Sequence, residues 1–120
     1  MLSGTNYLHE VQAEVFKAIG HPIRLSIVKI LTQGELAVTE IVKRVGAEQS
    51  NVSRHLALLK QAGVLDSRKA GLKVIYRISS SSFSEDLKVV LARIEQHAAQ
   101  AAARYNAGAQ PGAARSAGSL

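Results

Sequence analysis

Arg54, Ser50 and Ser53 are side chains whose types and spacing suit the reading of a polar surface. Val52, Leu56 and Leu59 recur at helical spacing. Turning them inward on a 3.6-residue helix carries Ser50, Arg54, Ala57 and Gln61 to the opposite side, with Ser53 on its flank. The outer face then begins with small, hydrogen-bonding side chains and one guanidinium. The first turns of such a helix fit a DNA major groove, where Arg reaches guanine O6 and N7 while Ser or Gln takes other base edges or phosphates. A helix that merely shows a solvated polar face gives the same pattern, so the surrounding elements must decide.

Those elements begin just upstream. Val38, Ile41, Val42 and Val45 form another helical stripe, and Gly46-Ala47-Glu48-Gln49 leaves room only for a tight turn. The stretch from Ala37 to Gly63 is therefore laid out as a helix-turn-helix. Before it, residues from about Tyr7 to Ile19 predict a first helix with Leu8, Val11, Val15 and Ile19 along one side, while Tyr7 and Phe16 fall off that line and suit a second contact. Gly20 suits a C-terminal cap and Pro22 the first turn of the next helix. That helix, Ile23 to Leu31, is apolar nearly all round and is expected to be the central core helix.

After Gly63 the period changes from helical to two. Val64 to Lys69 and Lys73 to Ser79 read as two strands around the turn Ala70-Gly71-Leu72. Val74, Tyr76 and Ile78 should face the core, with Lys73 and Arg77 outward. Beside a recognition helix, a hairpin carrying Arg68, Lys69 and Lys73 near its tip makes a wing that can lie along the DNA backbone. Edge hairpins also carry lysines against unwanted pairing, so the wing charge alone leaves both readings open. Ser82 or Ser84 is the expected N-cap of a last helix, with Glu85 and Asp86 in its first turn. This helix should run to about Tyr105, with Phe83, Leu87, Val90, Leu91, Ile94, Ala98, Ala101 and Tyr105 as its apolar seam. That surface exceeds what one small domain leaves in water. With Leu8, Val11 and Val15, it predicts a homodimer through the first and last helices. Residues 1–105 form the domain, and residues 106–120, rich in Ala, Gly, Ser and Pro, are expected to be a disordered C-terminal tail.

The bulk numbers sharpen this reading. The 120 residues suffice for one domain, and with aromatics at 4% the packing falls to Ala, Val, Leu and Ile. No apolar run reaches membrane length, the N-terminus lacks the pattern of a signal peptide, and there is no cysteine, so a cytoplasmic location is expected. The net charge of +6 is localised: from Lys43 to Arg77 there are eight basic and two acidic residues, and the remaining seven of each sign cancel. The whole positive excess lies on the helix-turn-helix and the hairpin after it, as expected of a surface that displaces counterions from phosphate.

The element order closely resembles the ArsR/SmtB family of small dimeric winged-helix repressors. So do the segments Ala18 to Leu25, Gln49 to Leu56 and Leu59 to Leu65. The likeness covers about Leu8 to Ala102, roughly four-fifths of the chain. It implies a mainly α fold with a small β-hairpin, in the order α-α-α-α-β-β-α, and binding of an imperfect palindromic operator in double-stranded DNA, with release by an inducer. It also implies DNA contact at Gln49, Ser50, Ser53, Arg54 and His55. The helical wheel supports Ser50, Ser53 and Arg54 independently, whereas His55 lies near the buried margin, where an internal hydrogen bond is an equal alternative.

The departures matter as much. Family members that sense arsenic, cadmium or lead use cysteines at the start of the helix-turn-helix, where this chain has Ala37 and Thr39. A soft-metal site needs thiolates, and the chain has none. Members that sense sulfide or oxidants through a cysteine pair are excluded on the same ground. The paired histidine spacing of zinc- or nickel-sensing members is also missing. His9, Glu95 and His97 are ligand types, but solvated polar residues explain these three better, so no metal or other cofactor is expected and any inducer is unknown. No nucleophile–base pair, glycine-rich phosphate loop or carboxylate pair suggests an enzyme. The expectation is a sequence-specific DNA-binding regulator. The rival readings are a winged-helix module for protein–protein contact and a metal-responsive repressor with His and carboxylate ligands.

Overall fold

The computed structural model describes residues 4–109, with side chains described from residue 9 to residue 108. The elements are α1 (Gly4–Ile19), α2 (Pro22–Leu31), β1 (Leu36–Ala37), α3 (Val38–Val45), α4 (Gln49–Gln61), β2 (Leu65–Ala70), β3 (Lys73–Ile78) and α5 (Ser81–Ala109). The chain divides into two compact units after Leu87. The first holds α1 to β3 and the start of α5, and the second is built on the rest of α5.

In the first unit α2 is the hub, in contact with α1, α3, α4 and β3. Ile27, Val28 and Leu31 of α2 meet Ile41 of α3 and Val52, Leu56 and Leu59 of α4 in a closed core that also takes Val64, Leu65 and Ile78. Burying each such side chain contributes about 1.5–3 kcal/mol, which is why the apolar stripes dictate the packing of α3 and α4. Pro22 opens α2, and the His21 imidazole caps it, Nδ1 accepting from the Ile23 N–H at 3.1 Å.

The sheet is three-stranded and antiparallel, in the order β1-β3-β2. Of the expected alternation in the hairpin, Ile78 is buried and Lys73 and Arg77 are exposed, whereas Val74, Ile75 and Tyr76 are all half-buried. β1 was not expected. Leu36 and Ala37 pair with Tyr76 and Ile75. Two residues cannot display an alternation, and their strand conformation comes from the edge of β3.

α5 corrects three boundaries. Its cap is Ser80, whose Oγ accepts from the Phe83 N–H at 3.0 Å, not Ser82 or Ser84. The helix therefore starts at Ser81, and Glu85 and Asp86 fall beyond its first turn. It also continues through residues 106–109, which were assigned to the tail, because Ala107 and Ala109 favour helix. The rest of the predicted tail, and the side chains of Tyr7 and Leu8, lie outside what the structure describes. Among the described residues, no helix is long and apolar enough to cross a membrane.

Candidate nucleic-acid interface

The turn that aims α4 depends on Gly46. It ends α3 in the left-handed conformation, φ 76°, its N–H bonding to the Val42 carbonyl. A residue with a Cβ is strained there although nothing within 4 Å would touch it. The reversal lets α4 start at Gln49 after two more residues, with Val52, Leu56 and Leu59 locked inward. Gln49, Ser50, Ser53 and Arg54 consequently stand exposed on one end of the helix. Arg54 Nη2 donates to Asn51 Oδ1 at 2.7 Å, so the guanidinium is steadied from within its own helix. Asn51 was not among the predicted site residues. Its spacing of three from Arg54 was the available signal.

His55 departs from the implied set. It is only 4% exposed. Its ring lies 4.5 Å from that of His21, tilted by 35°. His55 shares the stripe of Val52 and Leu59, so fixing them inward takes it along, and it is removed from the outward-facing residues. Desolvation by burial lowers its pKa, and the nearby His21, Arg54 and Arg24 push in the same direction. A neutral ring is the form that this position favours. Its Nδ1, like Arg24 Nε, is buried without a hydrogen-bond partner among the described residues.

The wing presents its cations on two faces. In the β2–β3 register Lys69 lies opposite Val74 and Ser67 opposite Tyr76, whereas Arg68 lies opposite Ile75 and Asp66 opposite Arg77. Directly paired residues share a face, so Arg68 and Lys69 point to opposite sides. Arg68 Nη2 meets Glu35 Oε2 at 2.6 Å, and Arg77 meets Asp66 at 3.6 Å, so these two guanidiniums are answered by carboxylates. Lys69 and Lys73 are exposed. A cleft of about 330 Å³ joins wing and helix, lined by Thr39 from α3, Gln49 and Ser53 from α4, and Leu72, Lys73 and Tyr76 from the hairpin. Gln49, Ser53 and Lys73 thus border one concavity. The two-residue turn at the wing tip ends in Leu72, a fully exposed side chain that the sequence reading did not single out.

Of the predicted seam, Leu87 and Leu91 are half-buried, and Val90, Ile94 and Ala98 are exposed on α5. On α1, Val15 is half-buried, while Val11 and Phe16 are exposed. His9, Glu95 and His97 are all exposed, and among the described residues no three His, Asp or Glu side chains gather where they could hold a metal ion.

A helix-turn-helix with an exposed polar lead turn, followed by a cationic hairpin bordering the same cleft, defines a winged-helix protein built for DNA. Comparison with known proteins agrees. The family model for bacterial regulatory proteins of the arsR family matches residues 21–67. The chain is 38% identical over 91 residues to the HTH-type transcriptional regulator Rv0081 of Mycobacterium tuberculosis, covering 72% of this chain and 80% of that protein. It is 37% identical over 94 residues to the arsenical resistance operon repressor of Escherichia coli, covering 76% and 80%. Its fold superposes with a TM-score of 0.73 on the solution structure of the homodimeric winged helix-turn-helix DNA-binding domain of Mb0332 from Mycobacterium bovis. That match is at 29% identity and covers 81% of this chain and 90% of that one. The chain belongs to the ArsR family of bacterial regulatory proteins, and its role is that of a DNA-binding transcription regulator.

Proposed function

We propose that this protein is a repressor that binds a palindromic operator as a homodimer and leaves it in response to an inducer that is not held by cysteine. The observation that carries the reading is the exposed lead turn of α4, Gln49, Ser50, Ser53 and Arg54, of which Gln49 and Ser53 share a cleft with Lys73 of the wing. In the dimer two copies of α4 enter successive major grooves about one helical turn apart, and the wings lie over the flanks. Arg54 takes a guanine edge, Ser50 and Ser53 take base edges or phosphates, and Lys69 and Lys73 take backbone phosphates.

Homodimerisation is supported by apolar surface left in water. Phe16 is 72% exposed, Ile94 55% and Val90 47%. The Mycobacterium bovis domain, similar in fold, is itself homodimeric. An inducer acts by favouring one of two dimer geometries, those with matched and mismatched spacing of the paired α4 helices. The chain has no cysteine, so thiolate capture of arsenite or a soft metal does not supply that signal.

The test is in vitro selection of duplexes from a random library, followed by footprinting of the recovered site and light scattering of the unbound protein. Expected results are a two-fold symmetric protected site and twice the chain mass. Salt-sensitive binding with no recoverable sequence preference would refute the repressor reading. A stable monomer in solution would refute the dimer.

A further inference from the structure

We infer that Leu72, at the wing tip, reads the minor groove next to the site of α4 and selects A·T over G·C pairs there. The inference rests on the DNA-binding reading above. Leu72 has 105% of the reference exposure for leucine. Single exposed apolar side chains are common on protein surfaces. Leu72 differs in its setting. It occupies a two-residue turn whose Gly71 takes the left-handed φ of 66°, so the hairpin reverses at its extreme end. Every residue from Lys69 to Lys73 is exposed, so the tip of the hairpin stands clear of the core. Leu72 and Lys73 also border the cleft that takes in Gln49 and Ser53, which puts the wing tip on the side of the exposed α4 turn.

A helix seated in a major groove is bounded by phosphate ridges, and beyond each ridge lies a minor groove. A cationic hairpin beside that helix crosses the ridge, with Lys69 and Lys73 as its phosphate contacts and Leu72 beyond them. The floor of the minor groove shows only acceptors at A·T pairs, whereas G·C adds the guanine N2 amine. A leucine pressed against that amine removes its water and offers no acceptor in return, which is unfavourable. The chemistry assigns Leu72 an A·T-rich partner.

The experiment uses the full chain and 40-base-pair duplexes that carry the site recovered by selection, with flanks of A·T, G·C or inosine·C pairs. Inosine·C keeps most of the G·C major-groove pattern but lacks the N2 amine. The wild type should bind A·T and inosine·C flanks about equally, and G·C flanks about fivefold or more weakly. Leu72→Ser should abolish that difference and leave the salt slope unchanged, because no cation is lost. Lys73→Ala should keep the difference and flatten the slope by about 0.9 for each phosphate contact removed. Equal wild-type affinity for all three flanks, or a Leu72→Ser protein that still discriminates, overturns the inference while Arg54-dependent binding leaves the DNA reading standing. Failure of the wild type to bind any duplex overturns both.

Discussion

Replacing Arg54 by alanine tests whether the α4 face reads bases. A bidentate Arg–guanine pair is worth about 1–3 kcal/mol against the wrong base, or roughly five- to 150-fold in affinity. The guanidinium has five N–H donors, and among the described residues one nitrogen, Nη2, is committed, to Asn51 Oδ1 at 2.7 Å. Enough donors remain for a bidentate grip without releasing Asn51. Holding the side chain before binding removes part of the ordering cost, about 0.5–1.5 kcal/mol for a rotamer-rich residue. Asn51→Ala should therefore weaken binding by about 0.5–1 kcal/mol, less than Arg54→Ala does, and spare the base preference. Arg54 is exposed, so its loss should leave unfolding within about 0.5 kcal/mol of wild type. The assay is fluorescence anisotropy on a panel of duplexes, each with one base pair of the recovered site exchanged. The Arg54→Ala protein should lose its discrimination at one position per half-site and keep it elsewhere. An equal loss on every duplex, unrelated sequences included, would mean that Arg54 meets phosphate, and the base-reading assignment would fail.

Three further outcomes follow from the geometry. Lys69→Ala should lower affinity alike for all sequences and flatten the log–log salt slope by about one unit, checked by gel shifts over a salt series. Gly46→Ala, at φ 76° with no neighbour within 4 Å of the added methyl, should cost about 1–2 kcal/mol through backbone strain alone. That is a fall of roughly 4–8 °C in Tm per kcal/mol, which Gly46→Asn should partly recover. Because burial first, and then His21, Arg54 and Arg24, lower the His55 pKa, the folded state binds this proton less readily than the unfolded chain does. Its stabilising contribution is complete above the ordinary histidine value of about 6.5 and is lost as pH falls through the lower folded value. Thermal unfolding between pH 7.5 and 5 should show that decline in the wild type and a flatter profile in His55→Gln.

Much of this architecture was legible because it is written in periods. Val52, Leu56 and Leu59 fixed the inward side of α4, and from it followed the exposure of Ser50, Ser53 and Arg54. The switch to alternation after Gly63 marked the hairpin, and Gly71 and Gly46, both left-handed, sit at its turn and at that of the helix pair respectively. What escaped had no period to show. β1 is two residues long and exists through its partner. Ser79 to Ser82 are four successive cap-competent side chains, and only the end of β3 decides that Ser80 serves. His55 was drawn outward by family likeness although its spacing from Val52 and Leu59 put it on the buried stripe, where the capping ring of His21 awaits it. Leu72 looked like turn filler until the cleft placed it beside the α4 face.

The same comparison changes the meaning of the charge. Counting along the chain assigns all eight basic residues from Lys43 to Arg77 to one positive surface. The fold divides them. Arg44 meets Glu40, Arg68 meets Glu35 and Arg77 meets Asp66, so three guanidiniums face carboxylates at 2.6–3.6 Å. Exposed pairs of this kind add at most about 1 kcal/mol to stability. Their larger consequence is electrostatic, since a paired guanidinium has less positive potential to offer a phosphate. Arg68, read as a wing contact, must exchange Glu35 for DNA, whereas Lys69 on the opposite face of β2 has no carboxylate to leave among the described residues. The wing is thus polarised across its thickness, with Arg68 and Arg77 answered on one face and Lys69 on the other. Binding strength that depends on salt should come chiefly from the lysines, leaving base choice to Arg54 and its neighbours on α4.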